Sequence, residues 1–220
     1  MKSEATFPSD PTALENCLLI EAPARLHMGF LDMSGSLGRR FGSIGLGINE
    51  IVTRLLIEPD DTLHISGHEA NRARRMAEAL SAAVGKPLPG RIRIESSIPD
   101  HAGLGSGTQL ALAIGSGLSR LHELGLSPTE LAGILGRGAR SGIGIAVFEQ
   151  GGLVVDAGRG SASKVPPVVA RLGVPEDWRL IILLDRDRQG LHGHPEKAAF
   201  SRLPPFPASE AARLCHLVLM

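Results

Sequence analysis

The segment that decides the fold is Ile98-Pro-Asp-His-Ala-Gly-Leu-Gly-Ser-Gly-Thr-Gln109, in which three glycines and two hydroxyl side chains separate a strand-like run from a helix-like run. Upstream, residues 91–95 alternate polar and apolar side chains, which is the period of a half-buried strand. Downstream, small or apolar residues recur at helical spacing at Leu110, Ala113, Ile114, Gly117, Leu118 and Leu121. The first N–H groups of such a helix have no partner inside the helix and lie at the positive end of its dipole. The segment therefore predicts a site for phosphate or diphosphate.

The glycines of this segment also allow a simpler interpretation, in which they only form a tight turn before a helix. Two familiar phosphate-binding patterns do not match here. No lysine follows as in Gly-x-x-x-x-Gly-Lys-Ser/Thr, and the glycines do not have the spacing Gly-x-Gly-x-x-Gly. The segment therefore disfavours ordinary nucleoside-triphosphatase and dinucleotide-binding folds.

The loop resembles the phosphate-binding motif of the GHMP kinase superfamily, Pro-x-x-x-Gly-Leu-Gly-Ser-Ser. The motif residues match in order at Pro99, Gly103, Leu104, Gly105 and Ser106. The second serine, which in the kinases helps to hold magnesium, is replaced by Gly107, and Thr108 is the neighbouring hydroxyl. The resemblance implies that residues 103–108 and His101 bind phosphate. It also implies that Mg²⁺ or another divalent cation lies near Ser106 and Thr108.

A second stretch, Arg140-Ser-Gly-Ile-Gly-Ile-Ala146, resembles the kinase motif Ser-Gly-x-Asp, whose aspartate acts on the substrate hydroxyl. Gly144 stands at the position of that aspartate. Glycine cannot accept a proton, so the carboxylate chemistry of the kinases is unsupported. The resemblance still implies that Arg140 and Ser141 contribute to phosphate binding.

One family within the superfamily combines these features, and the sequence is identified as a member of it: the β-ribofuranosylaminobenzene 5′-phosphate synthase family. The matching segments are residues 24–32, 35–39, 43–47, 101–109 and 140–146. Membership implies a transferase that condenses phosphoribosyl diphosphate with 4-aminobenzoate, or a close analogue such as 4-hydroxybenzoate. Carbon dioxide and pyrophosphate would be released, in methanopterin-type cofactor biosynthesis. The alternatives are an ATP-dependent small-molecule kinase of the superfamily and a truncated, noncatalytic binding protein.

Three residues near the first expected strand are candidate catalytic groups. Arg25 and His27 follow that strand at alternate positions, so their side chains should point the same way. Arg25 offers a planar fork for a carboxylate or phosphate, and His27 could carry a proton. A structural ion pair and a core histidine are the alternatives for these two. Asp32 is a candidate for metal or base work, or caps the turn before Ser34.

Two further groups of polar residues are less specific. Arg39 and Arg40 are candidates for binding the aromatic carboxylate or a phosphate, with a solvated pair as the alternative. A metal-like cluster consists of Asp185, Asp187, His192 and His194. Its spacing is not that of a closed zinc site, so a loop over the active site is the preferred interpretation.

The order of the expected elements indicates an α+β fold that is GHMP-kinase-like, with an N-terminal domain of ribosomal-protein-S5-domain-2-like architecture. Strands are expected at residues 17–22, 52–58, 63–66, 153–156 and 180–184. Helices are expected at residues 70–84 and after the capping box Ser127-Pro-Thr-Glu130. Pro166-Pro167 suggests a boundary between domains at 1–165 and 166–220. Because the chain stops in the apolar run 214–220, the second domain is expected to be truncated.

Composition excludes several classes of function. Lysine and arginine number 23, as do aspartate and glutamate, so no charge excess favours nucleic acid or an anionic membrane. Tyrosine is absent and Trp178 is the only tryptophan, which leaves few rings for stacking on bases. No signal-like or membrane-length apolar run occurs, and Cys17 and Cys215 are expected to be reduced. These features predict a cytoplasmic enzyme that acts on small molecules. They do not decide between a monomer and a homodimer.

Overall fold

The computed structural model describes residues 17–100, 102–161, 163, 165–184 and 198–219. Its strands form one six-stranded sheet: β1 (Leu18–Asp32), β2 (Phe41–Glu58), β3 (Leu63–Gly67), β4 (Gly90–Ser96), β5 (Leu153–Asp156) and β6 (Val168–Leu172). The helices with defined bounds are α1 (Ala70–Val84), α2 (Ser106–Leu121), α3 (Pro128–Ile134), α4 (Ile143–Gln150) and α5 (Ala208–Leu219). The predicted α+β class is therefore confirmed.

The long strand β2 organises the sheet. Antiparallel β1 pairs along it, while β4 pairs with residues 54–58 and β5 pairs with residues 43–46. The outer strands are β3, parallel to β4, and β6, antiparallel to β5. Strands β4 and β5 pair with opposite ends of β2 and leave its middle part unpaired on that edge. The loop before α2 and helix α4 approach β2 in this part.

Helix α2 forms the centre of the core and packs against β1, β2, α1, α3 and α4. Leu112, Ile114 and Leu118 are fully buried in the main apolar cluster. Gly117 faces β2, where an added Cβ would overlap with the side chain of Ile57. The missing side chain therefore lets the helix approach the sheet closely. This packing fixes the direction in which the N-terminus of α2 points.

Several elements match the sequence analysis. The predicted helix at 70–84 and strand at 153–156 have the observed bounds, and the predicted capping box opens α3. The first expected strand is longer than predicted, because β1 continues to Asp32 and includes Arg25 and His27. The predicted strand at 180–184 is wrong: the segment is irregular, and Ile181 and Leu183 are exposed. Its apolar residues predicted a strand, but no strand in the described part of the chain pairs with it.

Strand β6 lies beyond the predicted domain boundary at residues 165 and 166. It is hydrogen-bonded to β5, so the sheet extends across that point. The division into two domains stays a prediction. No helix in the described part of the chain has the length and apolar character needed to cross a membrane.

The capping box of α3 gives a test of the fold. Ser127 Oγ accepts a hydrogen bond from the backbone N–H of Glu130, and the Glu130 carboxylate accepts one from the backbone N–H of Ser127. Ser127→Ala should lower the free energy of unfolding by about 1 kcal/mol, because it leaves N–H groups of the first turn unpaired. Chemical denaturation measures this value. Thr129→Ala, which removes an exposed hydroxyl two residues later, should leave it nearly unchanged; equal losses in both variants would contradict the capping role.

Candidate active site

A cleft of about 440 Å³ lies between β1, the glycine loop before α2 and the turn before α4. Its lining residues are Arg25, His27, Phe30, Gly103, Thr108, residues 136–141 and Phe200. The structure thus brings together six residues predicted from the sequence: Arg25, His27, Gly103, Thr108, Arg140 and Ser141. They come from three separate segments of the chain.

The glycine loop enters α2 through left-handed backbone. Gly103 has φ of 74° and Gly105, which caps the helix, has φ of 83°, and residues with a Cβ rarely adopt this conformation. No side chain caps this end of α2. The first N–H groups of the helix are therefore open to an anion, as the sequence predicted for Ser106 and Gly107.

Arg25 ties the glycine loop to β1. Its backbone N–H donates to the carbonyl of Leu104 over 3.0 Å, and its Nη1 donates to the carbonyl of Gly103 over 2.6 Å. The Leu104 side chain is buried with Ala24 and Ile98 and does not face the cleft. Its contribution to the predicted phosphate site is therefore to anchor the loop.

His27 lies in the cleft between two basic groups. Burial, reinforced by the nearby charges of Arg25 and Arg140, lowers the pKa of His27 to about 4. The imidazole is therefore neutral near pH 7. Its Nε2 atom is buried and has no hydrogen-bond partner among the described residues. The neutral ring is the form of histidine that can accept a proton.

The turn at residues 140–142 is held by Asp156, which the sequence analysis did not identify. The fully buried Asp156 carboxylate accepts hydrogen bonds from the Gly142 N–H over 2.9 Å and from Ser141 Oγ over 3.3 Å. Ser43 Oγ lies 2.7 Å from Ser141 Oγ and donates to the same carboxylate. The signal available in the sequence was an acidic residue ending the apolar run Leu153-Val-Val-Asp156. This network fixes the position from which Arg140 reaches the cleft.

Gly144 lies in the first turn of α4, against the glycine loop. A Cβ at this position would lie 3.0 Å from Cγ2 of Thr108, so the threonine methyl group occupies space that a larger residue would need. Gln109 Nε2 also donates to the Gly144 carbonyl over 2.8 Å. Among the described residues that line the cleft, none carries a carboxylate. A general base of the kinase type is therefore missing from this part of the site.

Two arginines near Gly107 were also missed. Arg137 lines the cleft, and the guanidinium of Arg72 lies next to it at the first turn of α2. Arg72 Nη1 pairs with Glu69 at 3.1 Å and with Asp100 at 2.8 Å. The available signal for Arg137 was its place between Gly136 and Gly138, both of which have positive φ. Arg72 lies 65 positions from Arg137, and no motif connects them.

The loop residues do not fit a magnesium ion held by hydroxyl groups. Ser106 Oγ donates to Asp100 Oδ1 over 2.7 Å, and that oxygen also pairs with Arg72. Gly107 has no hydroxyl, and the space for a side chain is filled by Arg72. Within the described ranges, no three acidic, histidine or cysteine side chains are grouped to hold a metal ion. Magnesium at Ser106 and Thr108 stays a prediction.

Three predicted site residues have structural partners outside the cleft. The Asp32 carboxylate accepts hydrogen bonds from the N–H groups of Gly35 and Leu37, each over 2.8 Å. Burial alone would raise the pKa of Asp32, but these hydrogen bonds outweigh it and lower the pKa. Asp32 therefore has the alternative role considered for it, capping a turn, and the geometry gives no support to a catalytic one.

Arg39 and Arg40, predicted to bind substrate, do not line the cleft. Arg39 donates through Nε to the carbonyl of Ala157 over 2.9 Å and through Nη2 to that of Gly158 over 2.8 Å. Arg40 Nε donates to the carbonyl of Met33 over 3.1 Å. These guanidinium groups hold loops together, so neither residue is retained in the candidate site.

The remaining predicted site residues lie outside the described part of the chain. They are His101 and the cluster of Asp185, Asp187, His192 and His194. Their expected roles stay predictions.

Comparison with known proteins agrees with the geometry. The GHMP kinases N terminal domain matches residues 71–152. A β-ribofuranosylphenol 5′-phosphate synthase from Archaeoglobus fulgidus is 36% identical over 215 residues, which cover 92% of this chain and 68% of the relative. One from Methanothermobacter thermautotrophicus is 35% identical, with the same coverage of both chains. The chain belongs to this family of enzymes.

A solved structure shows the same fold in a more distant protein. Homoserine kinase from Cytophaga hutchinsonii superposes with a TM-score of 0.56 over 97% of this chain and 67% of its own, at 15% identity. The GHMP-kinase-like fold predicted from the sequence is confirmed by these comparisons. The relatives are named for a ribofuranosylphenol, whereas the family predicted from the sequence is named for a ribofuranosylaminobenzene.

The left-handed glycine of the loop allows a matched test. Gly105→Ala should lower pyrophosphate affinity about tenfold or more, because its Cβ would press on Arg25 Cγ at 3.0 Å and displace the loop. Gly125→Ala is the control: it also has positive φ, of 66°, but nothing lies near its Cβ. Both variants should lose about 1 kcal/mol of stability from backbone strain. Calorimetric titration that shows equal affinity in both would reduce the loop to a simple turn.

The pKa of His27 predicts a pH dependence of stability. The pKa of His27 is about 4 in the folded protein and 6.5 for the free group. Between these two pH values the unfolded chain therefore binds a proton that the folded protein does not bind. The free energy of unfolding should therefore decrease as the pH falls from about 6.5 towards 4. In His27→Asn the decrease across this interval should be smaller. An NMR titration that places the His27 pKa near 6.5 would contradict the account.

Proposed function

We propose that the protein transfers a phosphoribosyl group from phosphoribosyl diphosphate to 4-hydroxybenzoate or a close analogue such as 4-aminobenzoate. Carbon dioxide and pyrophosphate are the other products, and the step belongs to methanopterin-type cofactor biosynthesis. The observation that carries the proposal is the cleft itself, which joins basic groups, a helix N-terminus, a neutral histidine and two phenyl rings. The phenol in the names of the relatives supports 4-hydroxybenzoate as the acceptor.

The reaction balances as an electrophilic substitution on the aromatic ring. The bond between ribose C1 and the diphosphate oxygen breaks, and pyrophosphate leaves with the electron pair. The ring carbon that bears the carboxylate forms a bond to C1. The bond to the carboxylate then breaks, its electron pair restores the aromatic ring, and carbon dioxide leaves.

The basic groups of the cleft suit the donor. Negative charge develops on the leaving group as the sugar gains oxocarbenium character. N–H groups at the start of α2 and the guanidinium of Arg25 are fixed before the reaction, so they stabilise this charge without reorganising. Arg140, held by the Asp156 network, adds positive charge on the opposite wall.

The neutral imidazole and the phenyl rings suit the acceptor. Phe30 and Phe200 lie edge to face with ring centroids 5.7 Å apart, and His27 lies 4.5 Å from Phe30. An aromatic acid can pack on this wall. The negative charge of the bound donor offsets the charges of Arg25 and Arg140, which add to burial in lowering the pKa of His27. The ring then accepts the phenol proton, which makes the opposite ring carbon more nucleophilic, and returns it after carbon dioxide leaves.

A kinase acting on a small alcohol is the second candidate, favoured by the shared fold. It needs a base for the substrate hydroxyl, and the described lining of the cleft offers no carboxylate. A noncatalytic binding protein would not require a neutral histidine beside an anion site. A homodimer and a cytoplasmic location stay predictions.

The test uses both acceptors, each labelled in its carboxyl group, with phosphoribosyl diphosphate as donor. Labelled carbon dioxide should form with the unaltered protein. Arg25→Lys keeps the charge but loses the forked geometry, so kcat should fall with little change in Tm. His27→Asn should reduce turnover of 4-hydroxybenzoate about 10² to 10⁴-fold, and that of 4-aminobenzoate less, since the amine has no comparable proton to lose.

Arg40→Lys, outside the cleft, is the control and should keep normal turnover. Thermal protection by pyrophosphate greater than that by ATP is expected from the same site. ATP-dependent phosphorylation of a small alcohol without release of carbon dioxide would overturn the proposal in favour of the kinase.

A further inference from the structure

Two guanidinium groups converge on the first turn of α2 at Gly107. A Cβ added to Gly107 would overlap with Nη2 of Arg72 and would lie 3.4 Å from Nη1 of Arg137. Both groups therefore lie beside the N–H groups that begin the helix. We call Arg72 and Arg137 the arginine pair. A side chain at position 107 would displace it.

The two guanidinium groups of the arginine pair differ in their partners. Arg72 has two carboxylate partners, Glu69 and Asp100. Arg137 pairs with no carboxylate among the described residues, and its Nε atom is buried without a hydrogen-bond partner. Burial and then the charge of Arg72 lower the pKa of Arg137.

A half-buried cation beside a second cation and a positive helix end is unfavourable in the empty protein. A bound anion with several negative charges removes this cost. Arg137 lines the cleft, so its guanidinium is available to such an anion independently of the helix terminus.

We propose that the arginine pair binds the diphosphate of the donor across the first turn of α2 and stabilises it as it leaves. The identity of the donor rests on the function proposed above, while the choice of a diphosphate rests on the site. Two adjacent planar forks match two linked phosphoryl groups, each of which can accept paired hydrogen bonds. A monophosphate would engage only part of this arrangement.

The pair also has the geometry to act in the reaction as well as in binding. Glu69 and Asp100 hold Arg72 in place, and Ser106 Oγ supports Asp100 through its hydrogen bond. When the bond to ribose C1 breaks, the leaving diphosphate gains negative charge, so its attraction to fixed guanidinium groups increases. Interactions that strengthen on the way to the transition state raise kcat as well as affinity.

The experiment measures pyrophosphate and inorganic phosphate binding by calorimetry in Arg137→Gln and Arg72→Gln. Each variant should lose about tenfold or more in pyrophosphate affinity and less in phosphate affinity. Arg120→Gln, which removes an exposed charge from the other end of α2, should bind both as the unaltered protein does. In Arg137→Gln the Tm without ligand should stay equal or rise, because a half-buried cation without a carboxylate partner has been removed. A structural role predicts a lower Tm.

Turnover separates this proposal from the proposed function. If the unaltered protein releases carbon dioxide, both variants should show a raised KM for phosphoribosyl diphosphate and a lower kcat, with little change in KM for the aromatic acid. Normal pyrophosphate binding and turnover in folded Arg137→Gln would overturn the proposed role of the arginine pair. The proposed synthase function would be unaffected by that result. A different result would be weakened pyrophosphate binding in the variants of a protein that releases no carbon dioxide. It would support diphosphate binding by the arginine pair and contradict only the proposed synthase function.

Discussion

The attachment of the glycine loop to β1 is the constraint on which the site depends. Arg25 supplies both hydrogen bonds of this attachment, to the carbonyls of Gly103 and Leu104. Leu104 packs into a small apolar cluster behind the loop, and Gly105 turns the chain into α2. Because the body of α2 is fixed in the core, its N-terminus can point only into the cleft. The same residue that shapes the anion site therefore also contributes its charge to it.

The chemistry of the cleft follows from the basic groups that line it. Arg25 from β1 and Arg140 from the turn before α4 line the cleft, and no carboxylate lies on its described lining. Their field, together with burial, keeps His27 neutral. The proposed function assigns a multiply charged donor and an aromatic acceptor to this site. Thr108 packs beside Gly144, so a larger side chain there would press on its methyl group.

Local patterns in the sequence predicted much of the fold. The helix at 70–84, the capping box at Ser127 and the glycine loop each depend on residues close together in the chain, so their signals are complete in short segments. The segment 180–184 shows the limit of such reasoning, because a strand also needs a partner that local sequence does not reveal. The same holds for Asp32 and Arg39, whose polar groups are taken up by turns and main-chain carbonyls. Arg72 lies on α1 and Arg137 lies between α3 and α4, so they meet only through tertiary packing around α2, which short segments of sequence do not reveal.

The central claim is that the start of α2 holds the diphosphate of the donor. A crystal structure of the protein with bound pyrophosphate tests it most directly. The account predicts the diphosphate within hydrogen-bonding distance of the N–H groups of Ser106 and Gly107 and of the guanidinium of Arg137. A diphosphate bound elsewhere, with the first turn of α2 in contact with water alone, would contradict it.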